Sequence, residues 1–328
     1  MNSDKSGGAN NGQAGFAHVP VLLTETLDLL QLQAGKTYVD ATAGSGGHLL
    51  RMQERLTSPE GPDSTIVGID RDWQSLQRLQ EKVGAPVRLV HSNYADLKAV
   101  LTTLGISTIS GGILADLGVS SMQLDDSERG FSFLRDGPLD MRMDSSQHVT
   151  AAQLINNLSE PELAQIIFRY GEERYSRLIA RNIVRSRPLR TTLELAKVVT
   201  GSLRRFGKSG SGRDTSHPAT RTFQAIRIAV NDELGSLEKF LEDAIDLLSP
   251  GARLVVITFH SLEDRLVKQI LRHHARDCIC PGRQPVCTCD HQRKMLIITR
   301  KPVTANEKEV LANVRSRSAK LRAGEKLG

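Results

Sequence analysis

The chain has 328 residues and a mass of 36.0 kDa, which is more than one hydrophobic core usually organises, so we expect two domains or one domain with a large insertion. Hydrophobic residues at 39%, charged residues at 24% and a net charge of +6 are typical of a globular protein, and they exclude a small disulfide scaffold, a disordered chain and a collagen-like chain. No apolar run reaches the roughly eighteen residues of a membrane span, and residues 1–15 do not resemble a signal peptide, so we expect a cytoplasmic protein with no membrane partner.

The first part of the chain alternates strand and helix patterns. A helix is predicted within 18–32, after which strands at 37–41, 65–70, 87–91 and 112–117 are separated by helical patterns at 49–56, 74–82 and 95–104. Alternation of this kind favours a parallel, doubly wound sheet with helices on both faces. We therefore predict an α/β fold with a Rossmann-like sheet.

The alternation stops after the fourth strand. A Gly-, Asp- and Ser-rich loop at 118–146 leads into helical segments with capping boxes at Ser159–Glu162 and Thr191–Glu194. Residues 169–227 hold 14 Lys and Arg against 4 Asp and Glu, and arginine binds phosphate oxygens in a bidentate way. These features predict an inserted helical domain that binds nucleic acid. The alternative is a solvated face, and an aromatic content of 4% leaves few rings for stacking bases.

The sheet pattern resumes after a flexible Gly- and Ser-rich stretch at 207–213 and a long helical pattern. A strand at 253–259, a helix at 261–273 and a late strand at 295–300 follow, and the polar, basic end of the chain is expected to be partly disordered. The predicted division is therefore a disordered tail at 1–16, the sheet domain in two parts at 17–124 and 226–305, the Arg-rich insertion at 125–225, and a basic tail at 306–328.

A glycine turn and an acidic residue mark a cofactor site. The turn Gly46-Gly47-His48 follows a strand and opens a helix, and its backbone N–H groups can approach a ligand closely. Asp70 ends the second strand, where a carboxylate can accept hydrogen bonds from both ribose hydroxyls of an adenosine cofactor. Position 49 is Leu49 instead of the third glycine of a dinucleotide fingerprint, which disfavours a nicotinamide cofactor. The alternative is a tight turn followed by an N-capping aspartate.

Four longer motifs resemble one known family. The runs DLGVSS at 116–121, ERGFSFLRDGPLDMRMD at 128–144, HPATRTFQA at 217–225 and FHSLEDR at 259–265 closely resemble the bacterial ribosomal RNA small subunit methyltransferase H family, also called MraW. The likeness covers residues 18–265 and resumes at 314–319. It implies a class I methyltransferase that transfers a methyl group from S-adenosylmethionine to the exocyclic N4 of a cytosine in the decoding region of small-subunit ribosomal RNA. The implied partner is that RNA within an assembled or assembling ribosomal subunit, and the oligomeric state stays open.

The resemblance also assigns cofactor residues. It implies that the glycine turn wraps the methionine part of the cofactor, that Asp70 holds the ribose, that Tyr94 lies against the adenine, and that two further side chains complete the pocket. Family members often carry Phe at position 94, so the Tyr94 hydroxyl needs a polar partner. The implied set of cofactor-binding residues is Gly46, Gly47, His48, Asp70, Tyr94, Asp116 and Gln123.

The methyl acceptor needs a group that takes up a proton from the amine. The run at 40–46 also resembles the glycine motif of DNA amino-methyltransferases, but their Asn/Asp-Pro-Pro-aromatic loop is replaced here by Asp116-Leu-Gly-Val. We expect Asp140, Asp144 or His260 to act as the acceptor. The alternatives are a salt bridge with Arg135 or Arg142 for the two aspartates, and for His260 a position just before a capping box at Ser261–Asp264.

All four cysteines of the chain, Cys278, Cys280, Cys287 and Cys289, lie within twelve residues. In a reducing compartment such clustering favours a metal over disulfides, and four thiolates can form a closed tetrahedral zinc site. The spacing is Cys-x-Cys twice and not the common Cys-x-x-Cys. A structural zinc is therefore one reading, and a loop of unliganded thiols is the other.

Two other functions compete with RNA methylation. A ribosome-assembly factor could bind RNA through the Arg-rich insertion and keep a vestigial cofactor fold, but the intact cofactor residues argue against it. A methyltransferase acting on proteins or small molecules would leave the basic insertion without a role. Measured cofactor binding separates the first of these from an enzyme.

Overall fold

The computed structural model describes residues 20–57, 63–204, 217–281, 284 and 286–328. The predicted tail at 1–16 and the predicted flexible stretch at 207–213 lie outside these residues. The strands are β1 Thr37–Asp40, β2 Thr65–Asp70, β3 Val87–His91, β4 Gly112–Asp116, β5 Arg253–Thr258, β6 Met295–Ile297 and β7 Lys320–Lys326. The helices are α1 Leu23–Leu30, α2 Gly47–Leu56, α3 Trp73–Gln80, α4 Leu97–Thr103, α5 Ser121–Asp125, α6 Ala151–Asn157, α7 Glu160–Gly171, α8 Ser176–Arg185, α9 Thr192–Leu203, α10 Thr220–Asn231, α11 Glu233–Leu247, α12 Ser261–His274 and α13 Glu307–Ala312.

The strands form one seven-stranded sheet in the order β3-β2-β1-β4-β5-β7-β6. The pairings from β3 to β5 are parallel, and β7 pairs antiparallel with both β5 and β6. Helices α4, α11 and α12 bury one face of the sheet, and α1, α2 and α3 bury the other. The predicted doubly wound Rossmann-like sheet is confirmed. Because its strands are parallel, the acids that end β1, β2 and β4 all lie at one edge.

The end of the chain differs from the prediction. Residues 320–326 form β7, which is inserted between β5 and β6, so the expectation of a partly disordered chain end is wrong for these residues. Leu321 and Ala323 are completely buried in the core on one face. On the other face Arg322 Nε donates to Asp264 Oδ1 of α12 at 2.6 Å, and Lys320 Nζ lies 3.4 Å from the same carboxylate. An acid more than fifty residues away neutralises the charges that made this segment look like a solvated tail.

A helical domain lies between β4 and β5. Helices α6 to α10 pack around a core of their own that runs in sequence from Phe131 to Val230, with α7 lying against both α8 and α10. The capping boxes predicted at Ser159 and Thr191 are present. None of the helices in the described ranges combines the length and the hydropathy that a membrane span requires.

Some arginines of the insertion bind groups of the protein itself. Arg187 donates to the carbonyl oxygens of Ile155 and Leu158, at 2.7 and 2.5 Å. Arg181 Nε lies 3.2 Å from Glu160, although both side chains are exposed. Other arginines of this segment are exposed in the part of the chain that the structure describes, among them Arg169, Arg174, Arg177, Arg185, Arg190 and Arg204.

Candidate functional site

A cavity of about 650 Å³ opens at the carboxyl ends of the parallel strands. This is the edge at which open α/β sheets bind ligands. Six of the seven predicted cofactor residues line it: Gly47, His48, Asp70, Tyr94, Asp116 and Gln123.

The seventh, Gly46, supports the turn from below. Its φ angle is +88°, and a Cβ at this position would lie only 2.3 Å from Leu79 Cδ1. A side chain is excluded both by the left-handed backbone and by the packing of α3 against the turn. A Cβ at Gly47 would lie 2.6 Å from Pro20 Cγ, so Pro20, in the segment that leads into α1, closes the turn from the other side.

Asp70 is fixed by the backbone of two neighbouring segments. Its Oδ2 accepts a hydrogen bond from the Gly44 N–H at 2.7 Å, and its Oδ1 accepts one from the Asp72 N–H at 2.8 Å. Burial raises the pKa of Asp70, and these two hydrogen bonds oppose the rise. Each carboxylate oxygen keeps a lone pair for a donor in the cavity, so the arrangement fits a pair of adjacent hydroxyls.

Two more carboxyl groups, Asp40 and Asp116, lie at the floor of the cavity. Burial raises the pKa of Asp40 to about 7, and burial together with Asp40 and Glu263 raises the pKa of Asp116 well above its usual range. Asp116 Oδ2 lies 3.5 Å from His48 Nδ1, and His48 Nε2 lies 3.0 Å from the Val21 carbonyl oxygen. A carbonyl only accepts, so Nε2 carries the hydrogen and Nδ1 faces a carboxyl that favours its proton. A cation bound beside Asp116 would instead favour the ionised form of this carboxyl.

Tyr94 and Gln123 also line the cavity. The Tyr94 hydroxyl, 3.4 Å from the Glu233 carbonyl oxygen, has the polar partner that the sequence required, and its ring lies edge-on to Phe240. Gln123 Nε2 donates to Asp72 Oδ2 at 2.8 Å. Asp72 also caps α3 and pairs with Arg129 at 3.0 Å, so it holds α5 over the cavity. Sequence reasoning missed Asp72, although its place two residues beyond Asp70 was a usable signal.

The structure places the two candidate aspartates away from the cavity lining. Arg142 binds both oxygens of Asp140, with Nε donating at 2.8 Å and Nη2 at 2.7 Å, which is the salt bridge left open by the sequence. Burial acts to raise the pKa of Asp140, but Arg142 outweighs it and the pKa is lowered. Asp144 accepts hydrogen bonds from the N–H and the hydroxyl of Ser146. Between the two aspartates, Met143 lines the cavity.

His260 is the N-cap of α12. Its Nδ1 accepts from the Glu263 N–H at 3.3 Å, and its Nε2 lies 3.2 Å from Glu263 Oε1. The capping box is therefore His260–Glu263, and the expected box at Ser261–Asp264 is wrong because Asp264 is bound to Arg322. Glu263 lines the cavity, whereas His260 lies behind it.

A buried ion pair adds to this wall. Arg227 binds both oxygens of Glu233 at 2.8 Å, and both residues line the cavity together with Glu263. Burial acts to raise the pKa of Glu263, but His260 and Arg227 outweigh it, so this carboxyl stays ionised. Nothing local in the sequence indicated that α10, α11 and α12 meet here, since Arg227 and Glu263 are 36 residues apart.

The four cysteine side chains meet in the loop between α12 and β6. Their Sγ atoms all lie within 4.8 Å of one another, with Cys278 and Cys287 at 3.5 Å. Zinc–sulfur bonds of about 2.3 Å in a tetrahedron need sulfur separations of roughly 3.8 Å. The N–H groups of Ile279 and Thr288 also point at Cys289 and Cys280, each at 3.4 Å. The donor set fits a closed, four-thiolate zinc site without an open position for catalysis.

Comparisons with known proteins identify the family of the chain. The sequence model of the MraW methylase family matches residues 15–327. The chain is 49% identical over 320 residues to the ribosomal RNA small subunit methyltransferase H of Pelobacter propionicus, covering 96% of this chain and all of that one. It is also 49% identical to the protein of the same name from Geobacter sulfurreducens, covering 95% and 99% of the two chains. A solved rRNA methylase from Streptococcus thermophilus matches with a TM-score of 0.40 and 11% identity, over 93% and 95% of the two chains.

Proposed function

This chain belongs to the MraW methylase family, and on that premise we propose that it methylates the exocyclic N4 of a cytosine in the decoding region of small-subunit (16S) ribosomal RNA, using S-adenosylmethionine. The observation that carries the proposal is the cavity. It combines a glycine turn, an aspartate placed to accept ribose hydroxyls (Asp70), and two carboxyl groups suited to a cation (Asp40 and Asp116). Its volume of about 650 Å³ leaves room for a nucleobase beside an adenosine cofactor.

The cofactor residues act by placement. We propose that Asp70 accepts both ribose hydroxyls, that Tyr94 packs against the adenine and that the turn at Gly46, Gly47 and His48 holds the methionine part. Asp40 and Asp116 face the positive charge. S-adenosylmethionine supplies a methyl group that its sulfonium has already activated, so the protein mainly has to orient the acceptor amine.

The proton acceptor is proposed among the groups that reach the cavity. Asp116 has a buried Oδ1 without a hydrogen-bond partner among the described residues, and Glu263 is ionised on the neighbouring wall. Either carboxylate can accept a hydrogen bond from the cytosine amine and remove its proton. His260 then serves by holding Glu263, while Asp140 and Asp144 shape the loop that carries Met143.

The insertion is proposed to hold the RNA backbone. Arg177, Arg181 and Arg185 are spaced by four residues, so they share one face of α8, and all three are exposed. Arginines on such a face bind phosphates without reading bases. The partner we propose is the RNA in an assembled or assembling small subunit, in the cytoplasm.

For the cysteine cluster we propose a structural zinc ion bound by Cys278, Cys280, Cys287 and Cys289. The four thiolates would tie the loop that joins α12 to β6, and thereby the end of the sheet that includes β7. No step of methyl transfer involves this site.

The proposed function is tested by mapping methylated nucleosides in ribosomal RNA by mass spectrometry, in cells with and without the gene. We expect one N4-methylated cytidine of the decoding region to disappear without the gene, to return with the wild-type gene, and to stay absent with a D70A gene. An unchanged nucleoside map would contradict the proposal. Loss of ribosome assembly that D70A restores in full would instead indicate a non-enzymatic assembly factor.

A further inference from the structure

Residues 306–319, here called the rim segment, lie at the mouth of the cavity. The segment contains α13 and a 3-10 turn at Val314–Ser318, and it precedes β7. Glu309 Oε1 accepts a hydrogen bond from the Leu22 N–H at 2.7 Å, which ties the segment to the chain beside the glycine turn. Arg315 and Ser318 line the cavity.

The turn that carries Arg315 is held rigidly. Asn313 caps it by accepting from the Arg315 N–H at 3.1 Å. Ser316 is completely buried, and its hydroxyl donates to the Asn313 carbonyl oxygen at 2.8 Å. The Arg315 backbone is therefore fixed at the rim, and its guanidinium can exchange partners without a rearrangement of the fold.

Four cations line the cavity within the described residues, and two of them are committed to the protein. Arg71 is buried and donates to the Asn231 carbonyl oxygen, and Arg227 is buried against Glu233. Lys82 follows α3, the helix that Asp72 caps next to the ribose acid Asp70. Arg315 remains as the cation that is exposed and does not lie on the Asp70 side of the cavity.

The ion pair that Arg315 forms in this structure is weak. Its Nη2 lies 2.9 Å from Asp125 Oδ1, and the two side chains are 39% and 70% exposed. Ion pairs between exposed side chains contribute little net stability. A phosphate offers the guanidinium two oxygens and a stronger, charge-assisted contact. Asp125 is therefore a partner that an incoming phosphate can replace.

The rest of the cavity wall is acidic, which matters for a polyanion. Six carboxyl groups line the cavity or its floor: Asp40, Asp70, Asp72, Asp116, Glu233 and Glu263. A base that enters leaves its own phosphates outside, at the rim, where the ionised members of this set, such as Glu263, repel them. A rim cation offsets that repulsion. Arg317 is also exposed, and in the part of the chain that the structure describes no carboxylate lies within 4.0 Å of it.

We propose that Arg315 binds a phosphate of the target RNA at the mouth of the cavity, and that its guanidinium forms an ion pair with Asp125 while RNA is absent. The inference rests on the proposed function, because it takes RNA as the substrate. It adds a binding group outside the Arg-rich insertion and gives the rim segment a role in substrate binding. The other oxyanion that could reach Arg315 is the carboxylate of the cofactor, and the test separates the two.

The test compares R315Q, D125N and the double variant with the matched pair R51Q and E54Q. Arg51 and Glu54 form an exposed ion pair at 2.6 Å on α2, and neither lines the cavity. Two ligands are titrated: a single-stranded RNA with the decoding-region sequence, and S-adenosylhomocysteine. Thermal unfolding of each variant serves as the folding control.

We expect R315Q to raise the Kd for RNA about ten-fold and to reduce the slope of log Kd against log salt by about 0.7, the value for one phosphate on a single strand. D125N should lower the Kd about two-fold, and the double variant should match R315Q. R51Q and E54Q should leave the Kd unchanged, and all variants should bind S-adenosylhomocysteine as the wild type does.

Three results would overturn the proposal. If R315Q binds RNA normally but loses affinity for S-adenosylhomocysteine, Arg315 holds the cofactor carboxylate. If neither ligand responds, the pair with Asp125 is only structural. If R51Q weakens RNA binding as much as R315Q does, the effect is one of net charge. A wild-type protein that neither binds nor methylates RNA would contradict the proposed function as well, which distinguishes the two failures.

Discussion

Asn231 accepts a hydrogen bond from the backbone N–H of Met143 through its side-chain Oδ1, at 2.8 Å. The same side chain donates through Nδ2 to the carbonyl oxygens of Met141 and Arg227, at 2.7 and 2.9 Å. Asn231 is 2% exposed and ends α10. One buried amide therefore fixes the loop that brings Met143 to the cavity.

Replacing Asn231 should disturb both stability and catalysis. N231A leaves a buried N–H and two carbonyl groups with fewer partners, so we expect a loss of about 2–3 kcal/mol in the free energy of unfolding, measured with urea. Methyl transfer should fall further than stability accounts for. N231D keeps the acceptor for Met143 but sets a buried carboxylate oxygen against the carbonyl oxygens of Met141 and Arg227, so it should lose at least as much. An N231A protein within about 0.5 kcal/mol of wild type would show that the amide is not needed.

Asp70 is expected to decide cofactor affinity. D70A removes the acceptor of the ribose hydroxyls and should abolish detectable binding of S-adenosylmethionine in calorimetric titration. It also frees the N–H groups of Gly44 and Asp72, so a modest drop in the unfolding temperature should accompany it. Affinity retained within a factor of about three would contradict the proposed cofactor orientation.

Asp40 should make stability depend on pH. The folded protein releases this proton near pH 7, whereas the unfolded chain releases it near pH 4. The stability that the proton provides is therefore complete below about pH 4, declines as the pH rises towards 7, and is absent above it. D40N cannot lose a proton, so the wild type should become less stable than D40N as the pH rises from 5 to 8. Urea unfolding at each pH tests this, and parallel curves would refute it.

The cysteine cluster should bind one zinc ion per chain, measured by elemental analysis of the purified protein. Because the chain has four cysteines and all of them lie in the cluster, thiol titration reports on this site alone. We expect few reactive thiols until a chelator is added under denaturing conditions. C287S/C289S should lose the metal and unfold at a lower temperature. Metal-free protein with four reactive thiols and full stability would remove zinc from the site.

Arginines of the insertion should contribute to RNA binding in proportion to how free they are. R177Q/R185Q should weaken binding of all RNAs alike and lower the salt dependence, because phosphate contacts carry no sequence information. R181Q should do less, since Arg181 already pairs with Glu160. The pair Arg204 and Arg205 is a further test, although Arg205 lies outside the described residues. Unchanged RNA affinity in R177Q/R185Q would mean that this face of α8 is only solvated.

The proton acceptor can be located by separating turnover from binding. E263Q and D116N should lower turnover with RNA affinity nearly unchanged, whereas D140N and D144N should act through the loop. H260A should behave as a milder E263Q, because His260 supports Glu263 through the capping box. Full turnover in both E263Q and D116N would return the role to Asp140, Asp144 or His260.

The sequence by itself predicted the parallel strands of the sheet and the edge at which the cavity opens. Strand and helix periodicity, the glycine turn and acids at strand ends are local patterns, and parallel strands necessarily bring their carboxyl ends to one edge. The hydrogen bond from the Gly44 N–H to Asp70 Oδ2, at 2.7 Å between residues 26 positions apart, lies at this edge.

Only the tertiary structure decided which charged groups are free. The chain end became β7 because Asp264 neutralises Arg322 and Lys320 from a distant helix. Asp140 does not face the cavity, because Arg142 binds it. Glu263 and Arg315 do line the cavity, although they come from segments far apart in sequence. A carboxylate or guanidinium acts according to its partner in space, and a partner brought in by chain folding leaves no periodic trace in the sequence.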